Sequence, residues 1–282
     1  MTTLEETVRQ ASLSLQAVSD TARLDAELLI ARALDIPRTF FITRADDELD
    51  AAQQDRVHAL IRRRAQGEPV AYILGSRQFW DLELAVTPDT LIPRPETELL
   101  VETALGLFNQ EQTVEVIDLG TGSGAIAIAI ARARPNWRVT ATDASAAALA
   151  VARHNAQRYT LTNIRLVQSH WFDAIDSALK FDLIVSNPPY IADSDPHLHA
   201  GDVRFEPLPA LQAGADGLDD IRILIRDGRQ HLRAAGWLML EHGYDQAAAV
   251  RQLFLENGYT QIEQQQDLAG HVRMSMGRQV TE

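Results

Sequence analysis

The sequence predicts an α/β fold in which helices cover both faces of a mainly parallel sheet. From residue 96 onward, short apolar runs alternate with stretches that have helical periodicity. A glycine-rich segment follows the first of these runs, and an Asn-Pro-Pro-Tyr segment follows the fourth. Alternation of this kind is typical of a Rossmann-like sheet, whose ligands bind at the carboxyl ends of the strands.

The first 75 residues predict a small helical bundle. One helix is expected to begin after an N-cap at Asp20 and to end before Pro37, and another to run from about Ala51 to Arg64. Alternation typical of strands is not apparent in this region. The triplet Arg62-Arg63-Arg64 lies in the last turn of the second of these helices. It either complements the helix dipole or forms a docking patch for a partner.

Residues 76–95 predict a β-hairpin linker, because β-type alternation begins at Phe79 and prolines at positions 88, 93 and 95 then interrupt the chain. Residues 96–282 form the predicted sheet domain. Its strands are expected at 114–119, 138–142, 164–168, 181–186, 236–241 and near 272–278, and its helices at 96–108, 123–133, 145–157, 217–234 and 245–257.

Composition and charge argue against several classes of protein. The chain has 282 residues, of which 46% are hydrophobic and 23% charged, with no cysteine and a formal net charge of -13. The lack of cysteine excludes disulfides and cysteine–zinc sites, and the amino terminus lacks the features of a signal peptide. The longest small-apolar run, Ala125 to Ala131, is too short to span a bilayer. We expect a cytoplasmic protein with no membrane contact and no direct nucleic-acid substrate.

The glycine loop (Gly120–Gly124) follows an apolar strand and precedes a helix. Its glycines let the backbone turn tightly and approach a nucleoside. Asp143 ends the next strand, where its carboxylate can bind both hydroxyls of a ribose. This pattern also fits a dinucleotide cofactor. Asp118 beside the glycines favours a cofactor with positive charge, such as S-adenosylmethionine, because a carboxylate repels a pyrophosphate.

The Asn-Pro-Pro-Tyr segment (Asn187–Tyr190) ends a buried apolar strand. Proline fixes φ and forces the preceding residue to be extended, so this segment should be stiff. The side-chain carbonyl of Asn187 and the backbone carbonyl of Pro188 can both accept from one planar –NH2 group, and Tyr190 adds a flat face. With the glycine loop, the segment predicts methyl transfer from sulfur to nitrogen, catalysed by positioning and electrostatics rather than by a general base.

Eight stretches spread along the chain form a recognisable set. They are Arg23–Glu27, Gly67-Glu68-Pro69, Tyr72, Phe79-Trp80, Leu91–Glu98, Gly120–Gly124, Asn187–Tyr190 and Asp202–Pro207. With these stretches, nearly the whole chain resembles the HemK/PrmC family, the methyltransferases that modify the glutamine of the Gly-Gly-Gln motif in peptide-chain release factors. The resemblance implies a Rossmann-like S-adenosylmethionine-dependent methyltransferase sheet that follows a helical bundle, and the bundle is expected to dock the release factor.

The resemblance also implies roles for individual residues. The implied cofactor contacts are Gly120, Thr121, Gly122, Ser123, Gly124, Asp143, Trp171 and Asn187. The implied substrate contacts are Asn187, Pro188, Pro189 and Tyr190, of which Asn187, Pro188 and Tyr190 are catalytic. His170 stands where an acidic residue is expected before the tryptophan. The adenine amino group is therefore expected to meet a backbone carbonyl or neutral His170.

Three other functions stay open. A nucleic-acid adenine methyltransferase also acts on a planar –NH2 group, but the acidic charge and the absence of a large basic domain disfavour it. A nicotinamide-dependent oxidoreductase explains the glycine loop and Asp143 but leaves Asn-Pro-Pro-Tyr unused. A regulator that binds S-adenosylmethionine but catalyses no reaction would also have no use for the Asn-Pro-Pro-Tyr segment.

Other polar residues receive weaker predictions. His197-x-His199 has the spacing of metal ligands but lacks a clear third ligand, so a loop and no metal site are expected. Glu241 and His242 end an apolar strand and receive no role. The connection that contains Asp202–Pro207 exceeds normal loop length, and we predict that it helps to shape the substrate entrance.

Overall fold

The computed structural model describes residues 2–280 and divides them into two units. One unit holds the described residues up to Ser76 together with His199–Phe205, and the other holds Arg77–Leu198 and the described residues from Glu206 onward. The segment His199–Phe205 comes from the long connection after Asn-Pro-Pro-Tyr, so that connection supplies part of the N-terminal unit. The outer limits predicted for the domains, residues 1 and 282, lie outside the described residues.

The N-terminal unit is a group of helices around one apolar core. Its elements are β1 (Thr2–Thr3), α1 (Leu4–Leu15), α2 (Ala22–Leu34), α3 (Phe40–Thr43), β2 (Glu48–Leu49), α4 (Ala51–Ala65) and α5 (Val70–Leu74). Helix α4 begins with a capping box, in which Asp50 and Gln53 each accept from the backbone N–H of the other. The core is formed by buried side chains that include Leu15, Leu29, Ile30 and Val57.

The sequence predictions for this unit hold for the main helices but not in every detail. Helix α4 confirms the helix predicted from Ala51. The N-cap of α2 is Thr21 rather than Asp20, and the Thr21 side chain makes no capping hydrogen bond. Strands β1 and β2 pair antiparallel. They were not predicted, because a strand of two residues is too short to show alternation in the sequence.

The second unit is built around one twisted sheet, and a hairpin of β3 (Ser76–Phe79) and β4 (Leu82–Ala85) lies before it in the chain. The sheet strands are β5 (Glu115–Leu119), β6 (Arg138–Asp143), β7 (Ile164–Gln168), β8 (Phe181–Ser186), β9 (Leu232–Glu241), β10 (Thr260–Gln266) and β11 (Val272–Arg278). The helices are α6 (Glu98–Leu107), α7 (Ala125–Ala133), α8 (Ala146–Arg158), α9 (Asp219–His231) and α10 (Ala247–Glu256).

The strand order is β10-β11-β9-β8-β5-β6-β7, which confirms the predicted Rossmann-like sheet. Strands β5 to β9 are parallel, and β11 runs antiparallel between β9 and β10. The order reverses between β5 and β8, so that the chain loops after these two strands leave from neighbouring positions. A reversal of this kind is where open α/β sheets bind their ligands.

Two apolar layers hold the sheet between its helices. Side chains alternate along each strand, so neighbouring residues of β8 face opposite layers. Leu183 and Val185 pack with α6 and α7, whereas Ile184 packs with α9 and α10. The central strands are therefore buried on both faces, which explains why they appear in the sequence as continuous apolar runs.

The carboxyl-terminal edge departs from the prediction. The edge strand β10 was not predicted, because Ile262 is its one large apolar residue and no alternation marks it. Helix α9 ends at His231 and β9 begins at Leu232, whereas the helix was expected to continue to residue 234. Within residues 2–280, no helix is both long enough and apolar enough to cross a membrane.

Candidate active site

The glycine loop and the Asn-Pro-Pro-Tyr segment lie side by side at the carboxyl edge of the sheet. They follow β5 and β8, which pair in parallel with Asp118 opposite Val185. A cavity of 480 Å³ lies at this edge. Among the residues predicted for the site, its walls contain Gly120, Gly122, Asp143, Trp171, Asn187 and Pro189.

The backbone of the glycine loop needs glycine at two cavity positions. Gly120 and Gly122 have φ of 72° and 56°, a region that other residues rarely adopt. A Cβ on Gly120 would stand 3.3 Å from the ring of Trp171, whereas one on Gly122 would meet no atom within 4 Å. The loop therefore presents bare backbone to the cavity and leaves space for a ligand in front of it.

The other three residues of the glycine loop do not face the cavity and instead connect the loop to the rest of the domain. Thr121 donates from Oγ1 to Oδ2 of Asp118 at 2.6 Å. The carbonyl oxygen of Ser123 accepts from Nδ2 of Asn155 at 2.8 Å. Gly124 is the N-cap of α7. The structure does not bring these three residues into the cavity wall.

Asp118 is fully buried and does not line the cavity. Burial raises the pKa of its carboxyl group to about 7, although the hydrogen bond from Thr121 acts in the opposite direction. The structure therefore gives no support to the argument that Asp118 presents a carboxylate to a cationic cofactor. The side chain instead anchors the glycine loop.

Asp143 is held in place by two backbone N–H groups of residues that line the cavity. Its Oδ2 accepts from the N–H of Gly122 at 2.9 Å, and its Oδ1 accepts from the N–H of Ser145 at 2.8 Å. Burial raises the pKa of this carboxyl group, while the two hydrogen bonds lower it. Each oxygen retains a further lone pair, which suits the two hydroxyls of a ribose.

Trp171 lines the cavity and is partly buried, packing against the apolar core beneath it. Its ring lies against Gly120, and its Nε1 donates to Oδ1 of Asp220 at 3.0 Å. Asp220 lines the same cavity, and burial raises the pKa of its carboxyl group. Asp220 was not predicted, because an acidic residue in the first turn of a helix such as α9 has an ordinary role at the helix N-terminus. The His170 side chain is 60% exposed, with Nδ1 3.6 Å from Oδ2 of Asp173.

The Asn187 amide has a defined orientation. Its Nδ2 donates to Oγ1 of Thr97 at 3.1 Å. Its Oδ1 is buried and has no hydrogen-bond partner among the residues that the structure describes. A buried carbonyl without a donor is costly, so this oxygen is suited to accept from a ligand. Pro188 is buried behind it, and Pro189 forms part of the cavity wall.

Tyr190 is fixed at both ends. Its hydroxyl donates to Oε1 of Glu241 at 3.4 Å, and its backbone carbonyl accepts from Nε2 of Gln246 at 3.0 Å. Burial, together with the negative charge of Glu241, raises the pKa of the Tyr190 phenol above its ordinary value. Tyr190 therefore stays protonated near neutral pH and cannot act as a general base.

Two residues anchor the Asp202–Pro207 segment. In the N-terminal unit, Asp202 accepts from Nη1 of Arg64 at 2.7 Å. In the second unit, Glu206 is buried, its Oε2 accepts from the N–H of Ile92 at 3.0 Å, and its Oε1 accepts from Arg94. Pro207 follows directly and lines the cavity. The segment thus reaches the cavity wall, and its predicted part in substrate entry stays a prediction.

The arginine triplet of α4 is exposed at two of its three positions. Arg64 is buried, and Arg63 pairs with Glu68. Arg62 is exposed and donates to the carbonyl oxygen of His58. Arg64 therefore cannot take part in a docking patch, whereas Arg62 and Arg63 are exposed and the docking alternative stays a prediction for these two. No group of three His, Cys, Asp or Glu side chains that could hold a metal ion occurs in residues 2–280.

The residues of the cavity fit S-adenosylmethionine. Gly122 leaves open space beside the loop backbone, Asp143 offers acceptors for a ribose, and Trp171 offers a flat face for adenine. Asn187, whose Oδ1 has no hydrogen-bond partner among the described residues, lines the same cavity. One cavity therefore combines a nucleoside site with an acceptor for an –NH2 group.

Two sequence profiles match the chain. One, described as "PrmC N-terminal domain", matches residues 6–75, and another, described as "Methyltransferase small domain", matches residues 95–204. The chain is 51% identical over 260 residues to the release factor glutamine methyltransferase of Pseudomonas aeruginosa, covering 92% of this chain and 94% of that protein. It is 46% identical over 284 residues to the enzyme of the same name from Vibrio cholerae, covering 99% and 98%.

Solved structures share the fold at low identity. A methyltransferase from Pyrococcus furiosus has a TM-score of 0.54 at 20% identity, covering 78% of this chain and 97% of that chain. The T. thermophilus 16S rRNA N2 G1207 methyltransferase, solved with AdoMet and guanosine, has a TM-score of 0.54 at 18% identity, covering 72% and 49%. At these identities the similarity shows the fold alone.

Proposed function

Because the chain belongs to the family of release factor glutamine methyltransferases, we propose that it methylates the side-chain amide nitrogen of the glutamine in the Gly-Gly-Gln motif of a release factor. Similarity over nearly the full length supports the reaction and the substrate class. The observation that carries the assignment of the site is the buried Oδ1 of Asn187, which faces no donor among the described residues.

S-adenosylmethionine supplies an electrophilic methyl group on a sulfonium. In our proposal, the backbone at Gly120 and Gly122 admits the cofactor close to the loop, and Asp143 accepts hydrogen bonds from its ribose hydroxyls. Trp171 packs against the adenine ring. The hydrogen bonds that Asp143 receives from Gly122 and Ser145 fix its carboxylate before the cofactor binds, which reduces the cost of ordering the site.

Asn187 and Pro188 hold the glutamine amide. The Oδ1 of Asn187 and the carbonyl oxygen of Pro188 each accept one of the two amide hydrogens, and Tyr190 supplies a flat face. An amide nitrogen is a poor nucleophile because its lone pair is delocalised. Two acceptors that polarise its N–H bonds stabilise the developing positive charge, and a fixed position removes the entropic cost of alignment. The cofactor leaves as a neutral thioether, and the methylated amide nitrogen then loses its extra proton to solvent. No general base is assigned to Tyr190, whose phenol stays protonated.

The N-terminal helical unit is proposed to dock the release factor. This assignment is supported by the match of residues 6–75 to the PrmC N-terminal domain. The residues that line the cavity all belong to the second unit. A release-factor substrate also implies that the enzyme works in the cytoplasm, where release factors act on ribosomes.

Mass spectrometry after incubation with S-adenosylmethionine and a purified bacterial release factor tests the proposal. We expect a gain of one methyl group on the glutamine of the Gly-Gly-Gln motif. A release factor in which that glutamine is replaced by alanine is the matched control and should gain none. Methyl transfer to DNA or RNA, with none to the release factor, would contradict the assignment of the release factor as substrate. That result would favour the alternative that the protein is a nucleic-acid adenine methyltransferase.

A further inference from the structure

Asp220 lines the cavity from the first turn of α9, yet the proposed chemistry gives it no role. From the sequence, the adenine amino group is expected to meet a backbone carbonyl or His170. The His170 side chain is 60% exposed, and its Nδ1 lies 3.6 Å from the carboxyl group of Asp173. Asp220 comes from a distant part of the chain, and the fold places its carboxyl group against Trp171.

The indole ring of Trp171 is held at two points. Its Nε1 donates to Oδ1 of Asp220 at 3.0 Å, and its six-membered ring lies against Gly120. The backbone of Trp171 has a φ of 47°, which is costly for a bulky residue, so the surrounding contacts must maintain it. One such contact comes from Ser169, whose Oγ donates to the carbonyl oxygen of Trp171 at 2.8 Å. The ring therefore has a fixed position before a ligand binds.

The second carboxyl oxygen of Asp220 is available to a ligand. Among the residues that the structure describes, none makes a hydrogen bond to this Oδ2. Burial raises the pKa of the Asp220 carboxyl group, whereas the hydrogen bond from Trp171 lowers it. The carboxylate is thus partly dehydrated, and only one of its oxygens has a donor. A further N–H donor at Oδ2 would stabilise it.

The hydrogen bond with Trp171 places the carboxyl group beside the indole ring rather than over its face, because an indole N–H points outward in the plane of the ring. A flat base that packs on this face therefore has its edge close to Asp220. A carboxylate can only accept hydrogen bonds, and the 6-amino group is the only N–H donor of the adenine ring in a nucleoside. Contact between the base and the carboxylate thus requires the amino group.

We propose that Asp220 is a specificity-determining residue for the cofactor, whose Oδ2 accepts a hydrogen bond from the 6-amino group of adenine while Oδ1 holds Trp171. One carboxylate then fixes the flat face on which the base lies and recognises the base itself. Asp220 replaces the acidic residue that was expected at position 170. This inference rests on the proposed packing of adenine on Trp171.

Calorimetry with two cofactor analogues tests the contact without a release factor. One compound is S-adenosylhomocysteine, and the other is its analogue with a hydrogen atom in place of the 6-amino group. The wild type should bind the second compound roughly 10- to 100-fold more weakly, because Oδ2 of Asp220 is then left without a donor. Asp219→Asn is the matched control, since it alters an exposed neighbour that pairs with Arg222, and it should retain this ratio.

The variant Asp220→Asn should lose the discrimination between the two compounds. Nε1 of Trp171 requires an acceptor, so the amide oxygen of the new side chain stays with Trp171 and its –NH2 group replaces Oδ2. This –NH2 group then faces the –NH2 group of adenine. The affinity for S-adenosylhomocysteine should fall by roughly 10- to 100-fold, to about that for the analogue. A purely structural role of Asp220 would weaken the binding of both compounds equally and leave their ratio unchanged.

The ratio of the two affinities therefore decides the matter. An unchanged ratio in Asp220→Asn, or a wild type that binds both compounds equally or neither of them, would overturn the inference. A ratio that is lost in His170→Ala but retained in Asp220→Asn would also overturn it, because the amino group would then belong to His170. If the ratio changes as expected but no release factor is methylated, the proposed function fails and the role of Asp220 stands.

Discussion

Arg64 donates a hydrogen bond of 2.7 Å from Nη1 to Oδ1 of Asp202, a residue 138 positions further along the chain. The same guanidinium donates from Nε to Oδ2 of Asp25 at 2.8 Å. Arg204 adds a second attachment, since its Nη2 donates to the carbonyl oxygen of Gln66 at 3.1 Å. Within the N-terminal unit, the segment His199–Phe205 is thus fixed to the carboxyl-terminal end of α4.

Replacing Arg64 by methionine should strongly destabilise the N-terminal unit. The side chains of Arg64 and Asp25 are 5% and 10% exposed, so the variant leaves the Asp25 carboxylate buried without its partner. We expect a loss of about 3–5 kcal/mol in the free energy of unfolding, measured with urea. Arg62→Met in the same helix turn is the control, and a change within about 0.5 kcal/mol is expected there. Equal losses in the two variants would contradict the role of Arg64.

Replacing Asp143 by alanine should act mainly on cofactor binding. The variant removes the carboxylate that the N–H groups of Gly122 and Ser145 hold in place, and with it the proposed ribose acceptors. Calorimetry should show an affinity for S-adenosylmethionine weaker by roughly 10- to 100-fold. Asp173→Ala removes an exposed carboxylate after Trp171 and should bind normally. Unchanged affinity in Asp143→Ala would show that the carboxylate does not contact the cofactor.

Asp118 should make the folded protein less stable as the pH rises. In the folded state its pKa is about 7, whereas the ordinary value is 3.8, so between these values the folded state binds a proton that the unfolded state has lost. This contribution to stability is fully present below the ordinary value and disappears as the pH passes about 7.

The comparison of wild type with Asp118→Asn isolates this effect, because asparagine cannot titrate. Between pH 4 and 7, the free energy of unfolding of the wild type should fall relative to that of the variant, by up to about 1.4 kcal/mol per pH unit. Denaturant titrations at several pH values give this slope. Asp173→Asn, which changes an exposed carboxyl group, should retain the slope of the wild type. If Asp118→Asn showed the same pH dependence of the free energy of unfolding as the wild type, a group other than Asp118 would be responsible for it.

Hydrophobic periodicity was sufficient to predict the succession of the central strands and helices along the chain. Strands such as β8 are buried on both faces, and this burial leaves a continuous apolar run in the sequence. Strand β10 lies at the edge of the sheet and consists largely of polar residues, so the sequence has no apolar run at this strand. The membership of His199–Phe205 in the N-terminal unit was also beyond prediction, because it depends on contacts such as Arg64 with Asp202 rather than on local pattern.

The predicted site residues are divided by the structure into two groups. Gly120, Gly122, Asp143 and Trp171 reach the cavity, whereas neighbours such as Thr121 support the loop from inside. A sequence motif cannot distinguish the residues that line the cavity from those that support the loop, because both are needed for the same loop conformation. The partners Thr97 and Glu241 carry no motif. Thr97 lies 90 positions from Asn187, and only the fold brings them together.

The most direct test of the proposed active site is Asn187→Ala, measured in two ways on one protein preparation. Calorimetry gives the affinity for S-adenosylmethionine, and mass spectrometry gives the rate of methyl transfer to the release factor. We expect the affinity to stay within several-fold of the wild type, while the rate falls by about 100-fold or more because the amide loses an acceptor. A rate like that of the wild type would contradict the assignment of Oδ1 of Asn187 as the group that holds the glutamine.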